Sequence, residues 1–478
     1  MTGVALLSAL TIDEVLRGTG GRPAGAGVVV GAGSALPRAP FTGVSIDSRT
    51  IERGEVFFAI AGPRFDGHDF LAEVAEKGAA AAVVHRDAAT PPGLPLVRVA
   101  DTTDALGDLA RHVRLAAAEL PVVVITGSVG KTTTKEMAAA LLATRGPVLK
   151  TEGNLNNRYG LPLTLLGLRP EHTAAVLELG MSAPGELAAL ARIAQPDVAV
   201  ITRVGPVHLE FFASVDAIAE AKAEVLDGLR EGGVAVLNGD DPRVRRVGEA
   251  RKRRVVWFGR DRRHDVSAES WRGTAFGMRF DLRVGGRTVD VALPLPGPHF
   301  VSNFLAAAAV AHVLGIAPET MADAATRMTA PRHRGEVRRL REGVTLLDDC
   351  YNSSPDALEA AVVALGMASG RRRVAVLGDM LELGPAGPAL HRERGAALAG
   401  RVDLVVGVGA LAKELLEGAR AGGLPAGRLR HFDDSAAAAS AIGAIVEPGD
   451  AVLVKGSRGV RLEAVVDALG ERFGEREG

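Results

Sequence analysis

The 478-residue chain is almost neutral, with a formal net charge of −1, and it contains 47% hydrophobic and 24% charged residues. This composition is typical of a globular protein, and the near-zero charge argues against a broad basic surface for nucleic acid or an anionic membrane. A chain of this length exceeds one ordinary hydrophobic core and favours about three domains.

The chain has one cysteine, Cys350, which excludes an intramolecular disulfide and is typical of a reducing compartment. The apolar opening lacks basic residues and is followed by Asp13 and Glu14, unlike a signal peptide. No apolar run approaches the ~18 residues that a membrane-spanning helix needs. We therefore expect a cytoplasmic monomer with neither nucleic-acid nor membrane partners.

The predicted first domain, residues 1–120, is a small α/β unit. Thr11 followed by Glu14 is a capping-box pattern, which predicts a short helix that begins there. The stretch 20–40 is rich in Gly, Ala and Pro and predicts loops or irregular strand. The pattern predicts two buried strands with a helix between them, in chain order Val56–Ile60, Phe70–Lys77 and Ala81–Val84.

The predicted second domain, residues 121–330, alternates β-branched runs with helical stretches. The predicted strands are Val122–Ile125, Ala174–Leu179 and Val198–Thr202. The predicted helices are Lys131–Ala143, Gly185–Ile193, Val215–Leu229 and the Ala-rich Asn303–Leu314. Such alternation indicates a parallel sheet covered by helices. Short Val, Phe and Trp runs separated by Gly turns predict a few antiparallel strands between 255 and 295.

The predicted third domain, residues 331–478, has the same alternating pattern. Its predicted strands are Val344–Leu347, Val374–Leu377, Leu404–Val408 and Ala451–Val454. Ala-rich helices between them favour a doubly wound, Rossmann-like α/β domain. The expected fold class is therefore α/β with three domains.

A phosphate-binding loop is the most specific local pattern. The strand at 122–125 runs into T-G-S-V-G-K-T-T, in which glycines let backbone N–H groups surround phosphate oxygens at the start of a helix. Lys131 would reach the terminal phosphates and the Thr132 hydroxyl would bind Mg²⁺. Ile125 stands where the general motif has its first glycine, so a plain Gly-rich connection is the alternative. The predicted ATP-binding residues are Gly127, Ser128, Val129, Gly130, Lys131, Thr132 and Thr133.

Five further blocks follow this loop in order. They are N-L-N-N-R-Y-G-L-P-L-T at 154–164, E-L-G-M-S-A-P-G-E at 178–186, I-T-R-V-G-P-V-H-L-E at 201–210, A-K-A-E at 221–224 and N-G-D-D-P at 238–242. Together with the short loop they resemble the Mur ligase and folylpolyglutamate synthetase superfamily. Arg203 departs from the Asn that is usual there.

Three residues in these blocks are candidate catalytic groups beside Lys131. Glu178 ends a predicted buried strand, so its carboxylate would emerge at the carboxyl edge of the sheet, where ligands bind and where a hard oxygen suits Mg²⁺. The resemblance implies that His208 helps hold a second Mg²⁺ and that Lys222 is carbamylated. By position alone, a salt-bridged glutamate, a core histidine and a solvated surface lysine are the alternatives.

The remaining blocks distinguish branches of the family. S-I-D-S-R at 45–49 and G-P-R-F-D-G-H-D-F at 62–70 resemble the uridine-diphosphate-binding domain, with Ser48 and Arg49 as donors to a pyrophosphate or uracil oxygen. In the third domain, D-D-C-Y-N-S-S-P at 348–355, G-D-M-L-E-L-G at 378–384 and K-G-S-R at 455–458 resemble the branch that adds a dipeptide.

The resemblance implies ATP and two Mg²⁺ ions as cofactors, with UDP-N-acetylmuramoyl-tripeptide and D-alanyl-D-alanine as substrates joined through an acyl phosphate. It places Asn154 and Asn157 between peptide and γ-phosphate. It places Asn303, Arg334 and Asp349 on adenine and ribose, and Lys455, Ser457 and Arg458 on the dipeptide. Phe300 departs from the usual Asn, and Arg334 lies in R-H-R-G where a Gly-Arg pair is common.

Two alternatives remain open at this stage. One is a sibling ligase that adds a single amino acid to a UDP-muramyl peptide or to folate. The other is a non-enzymatic ATP-binding protein, which the presence of Glu178, His208 and Lys222 disfavours.

Overall fold

The computed structural model describes residues 10–24, 39–89, 91–274 and 276–475. Contact density divides the chain into two compact units. The first unit is Met1–Thr126, Arg145–Ala199 and Glu224–Val234. The second unit is Gly127–Thr144, Val200–Ala223 and Ala235–Gly478.

The front of the first unit is a five-stranded sheet with three helices. Its strands are β1 (Arg22–Ala24), β2 (Val44–Ser45), β3 (Val56–Phe58), β4 (Ala81–Val84) and β5 (Leu96–Arg98), in the order β1-β5-β4-β3-β2. Its helices are α1 (Ile12–Thr19), α2 (Leu71–Glu76) and α3 (Thr102–Ala116). Only the β1–β5 pair is antiparallel among these pairs. The capping box is confirmed, since Thr11 Oγ1 accepts the N–H of Glu14 at 3.4 Å.

The strands β3 and β4 are buried on both faces of this sheet because they are apolar at every position. Val56 and Phe58 face one apolar cluster, whereas Phe57 faces the other. The stretch predicted as loop at 20–40 contains β1, and its residues 25–38 lie outside the described part. The predicted helix and strands here are confirmed with bounds shifted by up to two residues.

A nine-stranded sheet follows in the chain. Its strands are β6 (Val122–Thr126), β7 (Val148–Lys150), β8 (Ala174–Glu178), β9 (Val198–Ile201), β10 (Val234–Asn238), β11 (Arg254–Gly259), β12 (Val266–Thr274), β13 (Gly277–Val284) and β14 (Arg287–Leu293). Their order is β14-β13-β12-β11-β10-β9-β6-β8-β7. The helices of this stretch are α4 (Lys131–Leu142), α5 (Gly160–Leu166), α6 (Glu186–Ala194), α7 (Val215–Ala223), α8 (Pro242–Ala250), α9 (Pro298–Val313) and α10 (Pro318–Ala325).

The structure confirms the parallel strands and corrects two helices. The predicted antiparallel strands are present, because β12, β13 and β14 pair in antiparallel register. Helix α9 begins at Pro298 rather than Asn303, since proline is favourable in a first helical turn. Helix α7 ends at Ala223 rather than Leu229, and a short 3₁₀ turn takes its place.

The last sheet has six strands with helices on both faces. Its strands are β15 (Glu336–Arg339), β16 (Thr345–Asp348), β17 (Arg373–Gly378), β18 (Leu404–Val408), β19 (Leu429–Phe432) and β20 (Ala451–Lys455), in the order β15-β16-β20-β17-β18-β19. Its helices are α11 (Pro355–Met367), α12 (Gly387–Ala396), α13 (Ala412–Ala421), α14 (Ser435–Ile445) and α15 (Glu463–Phe473).

The doubly wound prediction is confirmed by the alternation within β17. Ala375 and Leu377 pack in the apolar cluster that contains residues of α11 and α13. Val374 and Val376 pack in the cluster that contains residues of α14 and α15. Only the edge strand β15 runs antiparallel. No helix in the described part of the chain is long and apolar enough to cross a bilayer.

Candidate active site

The glycine turn at 127–130 is shaped by two close approaches that exclude any side chain. Gly127 has φ +153°, and a Cβ there would lie 2.0 Å from Thr202 Oγ1. Gly130 has φ +85°, and a Cβ there would lie 2.4 Å from Asn303 Oδ1. Both positions therefore require glycine, which has no Cβ.

The turn is also held by hydrogen bonds to the segment after β9. The Ser128 N–H donates to the Arg203 carbonyl at 2.6 Å, and the Ser128 hydroxyl donates to the Gly205 carbonyl at 3.1 Å. The Thr202 hydroxyl donates to the Val129 carbonyl at 2.6 Å. These bonds fix the turn in the absence of a ligand. Such preorganisation is what a site needs to stabilise the negative charge of bound phosphates.

Lys131 opens α4 directly after the turn. Its Nζ donates to the Gly127 carbonyl at 3.0 Å, so its ammonium lies over the turn. Thr132 and Thr133 follow in the first helical turn, where the backbone N–H groups of a helix start and the helix dipole favour phosphate. The predicted sequence of strand, glycine turn and helix is confirmed here.

Glu178 ends β8 within the first unit. In the β6–β8 pair it stands opposite Ile125, so it ends the strand next to the one that runs into the glycine turn. Its side chain is 3% exposed, and its Oε1 accepts a hydrogen bond from Asn156 Nδ2 at 3.0 Å. Its own N–H donates to Thr151 Oγ1 at 2.9 Å. Asn156 and Thr151 therefore set the position of this carboxylate.

His208 and Lys222 lie with Lys131 in the second unit. Burial lowers the pKa of His208, and the charges of Lys131 and Lys222 lower it further, although Glu382 opposes them. Lys222 is only 2% exposed, and burial followed by the charge of Lys131 lowers its pKa well below 10.5. Three basic groups thus share one region, and each disfavours a positive charge on the others.

The predicted nucleotide ligand Asp349 has a basic partner. Lys455 Nζ lies 2.7 Å from Asp349 Oδ2 and donates to the Asn352 carbonyl at 2.9 Å. Burial raises the pKa of Asp349, and Lys455 works in the opposite direction. Lys455 is itself buried, so its ammonium supports the loop after β16. Its predicted contact with the dipeptide stays a prediction.

Two predicted arginines share one aromatic ring. The guanidinium of Arg334 lies 4.0 Å from the ring centroid of Tyr351, and that of Arg458 lies 5.1 Å from it. Arg458 also pairs with Glu463 at 2.9 Å. The structure therefore brings a residue predicted for the nucleotide and one predicted for the dipeptide to the same side chain. Cation–π contacts of this kind orient a guanidinium plane.

His299 lines a small cavity whose wall also includes Phe300, Gly335 and Asp349. Its Nδ1 is buried and finds no hydrogen-bond partner among the described residues. Burial lowers the pKa of His299 to about 4, so its ring is neutral at neutral pH. A buried imidazole nitrogen without a partner is costly, and a polar ligand atom would satisfy it. Asn303 Oδ1 accepts a hydrogen bond from the Thr134 hydroxyl at 3.5 Å, and its predicted contact with adenine and ribose stays a prediction.

The predicted uridine-diphosphate residues lie in the loop after β2. Ser48 is buried and its carbonyl accepts from Lys77 Nζ at 2.6 Å. Arg49 is exposed and pairs with Asp47 at 2.6 Å. The arrangement leaves the hydroxyl and guanidinium groups on one short turn, as the sequence predicted, while their ligand contacts remain predictions.

The two predicted asparagines of the peptide path have different surroundings. Asn157 Oδ1 accepts the N–H groups of Tyr159 and Gly160 at 3.1 and 3.0 Å, so it caps the start of α5. Asn154 is exposed. The sequence pattern assigned no role to Asn156 between them, although this residue contacts Glu178. Thr202 and Glu382 were also missed, because each acts through a loop that is distant in sequence.

Family models match most of the chain. A model described as the Mur ligase middle domain matches residues 125–311. A model of the Mur ligase glutamate ligase domain matches 333–458, and one of the Mur ligase family catalytic domain matches 40–114. The chain belongs to the Mur ligase family. It carries the three domains of that family, as the predicted fold class required.

Curated relatives in this family cover nearly the whole chain. The UDP-N-acetylmuramoyl-tripeptide–D-alanyl-D-alanine ligase of Bacillus subtilis (strain 168) is 37% identical over 431 residues, covering 89% of this chain and 93% of the relative. The enzyme of the same name from Escherichia coli (strain K12) is 38% identical over 435 residues, covering 90% and 93%.

Solved structures of this Mur ligase branch are also similar. MurF from Acinetobacter baumannii superposes with a TM-score of 0.88 at 33% identity, covering 97% of this chain and 99% of that one. MurF from Thermotoga maritima in complex with ADP gives 0.80 at 32% identity, covering 90% and 97%. A folylpolyglutamate synthase from Mycobacterium tuberculosis, at 19% identity and TM-score 0.62, shares the fold alone.

Proposed function

We propose that this chain joins D-alanyl-D-alanine to UDP-N-acetylmuramoyl-tripeptide and converts ATP to ADP and phosphate in the same reaction. Relatives that carry this activity in their names match about nine-tenths of the chain at 37–38% identity. We further propose that the protein works as a cytoplasmic monomer, with domains at 1–120, 121–330 and 331–478. These boundaries follow the sequence pattern and differ from those of the two compact units described above.

The observation that carries the proposal is the gathering of Lys131, His208 and Lys222 in one region of the second unit. A structural role alone gives no reason to keep a buried lysine next to a phosphate-loop lysine, because each charge penalises the other. Glu178 ends β8, the strand that pairs with β6, and β6 runs directly into the glycine turn.

The donor set fits Mg²⁺, which we propose to be bound as two ions. Mg²⁺ prefers carboxylates, hydroxyls and phosphate oxygens. Thr132 would supply a hydroxyl, Glu178 a carboxylate, and His208 the imidazole of the second site. Lys222 would supply a carboxylate if carbamylated, and its lowered pKa favours the neutral amine, the form that reacts with carbon dioxide. When bound, the ions would neutralise charge on the transferring phosphoryl group.

Amide formation fails in water because the oxygen of a free carboxylate is a poor leaving group. In the proposed first step a carboxylate oxygen of the tripeptide attacks the γ-phosphorus, giving an acyl phosphate and ADP. The glycine turn and Lys131 hold the phosphates in line and stabilise the charge that moves to the β–γ bridging oxygen. Asn154 and Asn157 would line the path of the peptide carboxylate.

In the second step the free amine of D-alanyl-D-alanine attacks the acyl carbon, and phosphate leaves with the bonding electrons. Arg458 and Ser457 would bind the dipeptide carboxylate, and Asp349 and Arg334 would bind the nucleoside. Because Arg334 and Arg458 stack on the same Tyr351 ring, nucleotide and dipeptide recognition would meet at one side chain.

A substrate panel tests this function directly. The purified chain is incubated with ATP, UDP-N-acetylmuramoyl-tripeptides that differ in their third residue, and either D-alanyl-D-alanine or single amino acids. We expect phosphate release and a pentapeptide product by mass spectrometry only with the dipeptide. Release with a single amino acid instead would assign the chain to a sibling ligase, and no substrate-dependent release would contradict the proposal.

A further inference from the structure

Glu382 lies on the loop 379–383 that follows β17, and this loop is fixed by buried side chains. The Met380 N–H donates to His391 Nε2 at 2.9 Å, and His391 Nδ1 donates to the Gly387 carbonyl at 2.7 Å. The Leu381 N–H donates to Ser457 Oγ at 2.9 Å. The backbone of Leu381, the residue before Glu382, is therefore held by Ser457, which follows the end of β20. The position of Glu382 is thus set by the fold.

Glu382 itself has a backbone conformation that is unusual for a residue with a side chain. Its φ is +62°, in the left-handed region, which is strained for a residue that has a Cβ. Its carbonyl accepts the Glu210 N–H at 3.4 Å. Gly384, with φ +54°, lies so close that a Cβ would stand 3.2 Å from Glu210 Cα. The loop thus packs backbone to backbone on the segment that carries His208.

His208 has matching features on the other side of this contact. Its φ is +55°, and its Nδ1 is buried without a well-aligned hydrogen-bond partner among the described residues. Oε2 of Glu382 lies 2.5 Å from this Nδ1, which is within ion-pair distance. A small rotation of either side chain would align the two groups as a hydrogen bond. Two strained residues on different loops therefore present an imidazole nitrogen and a carboxylate to each other.

We propose that Glu382 is the positioning residue for His208: its carboxylate accepts a hydrogen bond from Nδ1–H, which would leave the Nε2 lone pair available to a metal ion. Histidine ligands commonly donate their second ring nitrogen to a carboxylate, which fixes the tautomer and the orientation of the ring. This inference rests on the proposed function, in which His208 binds Mg²⁺. It adds that the predicted third domain, residues 331–478, supplies part of the metal site through Glu382.

The first test reads the tautomer of His208 in the metal-free protein by ¹⁵N NMR of histidine-labelled samples, with His208→Gln for assignment. We expect the Nδ1–H tautomer in the wild type and a mixture of tautomers in Glu382→Ala. Glu382→Gln, whose amide oxygen still accepts a hydrogen bond, should restore the Nδ1–H form. An unchanged tautomer in Glu382→Ala would overturn the proposal whatever reaction the protein catalyses.

The second test measures Mn²⁺ binding to the complex with a non-hydrolysable ATP analogue by electron paramagnetic resonance. We expect Glu382→Ala to weaken one of two Mn²⁺ sites by about 10- to 100-fold, with Glu382→Gln closer to the wild type. Glu417→Gln, which removes an exposed carboxylate from α13, is the control and should change neither site. Equal Mn²⁺ affinities in all variants would contradict the proposal, whereas a wild type that binds no second ion would contradict the proposed function.

Discussion

At the residue scale, two lysines show why burial alone does not define chemistry. Lys135 and Lys222 are both 2% exposed. Lys135 pairs with Glu136 at 2.7 Å, whereas Lys222 is placed near the like charge of Lys131. The like charge of Lys131 favours the neutral form of Lys222, whereas Lys135 has a carboxylate beside it.

We therefore predict that Lys222, and not Lys135, takes up carbon dioxide. Protein equilibrated with ¹³C-bicarbonate at neutral pH should give a carbamate carbon resonance, since only a neutral amine forms this adduct. The signal should disappear in Lys222→Met and persist in Lys135→Met, and acidification should release one carbon dioxide by mass. A resonance that survives in Lys222→Met, or none in the wild type, would rule the modification out.

Single residues were also where the sequence was most and least informative. The glycine turn and Glu178 could be placed from local patterns, because the turn directly follows β6 and Glu178 ends β8, whereas the role of His208 came from the family resemblance. Asn156, Thr202 and Glu382 could not be placed in this way, because their partners are distant in the chain. Asn156 contacts Glu178, 22 residues away, and Thr202 contacts Val129, 73 residues away. Glu382 contacts His208, 174 residues away. Such contacts are made by folding, and no local period marks them.

At the scale of elements, α3 carries a buried arginine in its last turn. Arg114 is 1% exposed, and burial lowers its pKa while Asp197 opposes the change. Its guanidinium donates to the carbonyls of Ala194 and Gln195 at the end of α6, both at 3.0 Å, and to Asp197 at 2.8 Å. A cation there satisfies carbonyls that the helix leaves without donors.

We predict that Arg114→Met destabilises the first unit by about 3–5 kcal/mol, because it leaves buried carbonyls and a carboxylate without their donor. Urea unfolding followed by circular dichroism should show a lower midpoint for this variant and an intermediate one for Arg114→Lys. Asp108→Ala, which removes an exposed charge from the same helix, should match the wild type. A midpoint for Arg114→Met equal to the wild type would show that the buried network contributes little.

At the scale of the whole molecule, the sequence predicted the fold class and the three sheets but not the way contacts divide the chain. The alternating pattern is local, so it indicates α/β structure reliably and suggests consecutive domains. Contact density instead groups the loop and helix at 127–144 with residues 235–478. Neighbouring strands of a parallel sheet are separated by whole crossovers, so a residue's spatial neighbours are often far from it in sequence.

This grouping leads to a prediction about stability. The glycine turn, Asn303, Arg334 and Asp349 all belong to the second unit, so a bound nucleotide would stabilise that unit as one body. At 100 times its dissociation constant, an ATP analogue with Mg²⁺ should stabilise the protein by about 2.7 kcal/mol.

Lys131→Ala should keep the ligand-free melting temperature, lose most of the ligand-induced increase and release no phosphate in a turnover assay. Arg49→Ala, in the first unit, should retain the increase with nucleotide while its KM for the UDP-linked peptide rises. If Lys131→Ala melts and turns over like the wild type with nucleotide present, the phosphate-binding role of the turn is wrong, because removing the ammonium over Gly127 would then have cost no interaction with ATP.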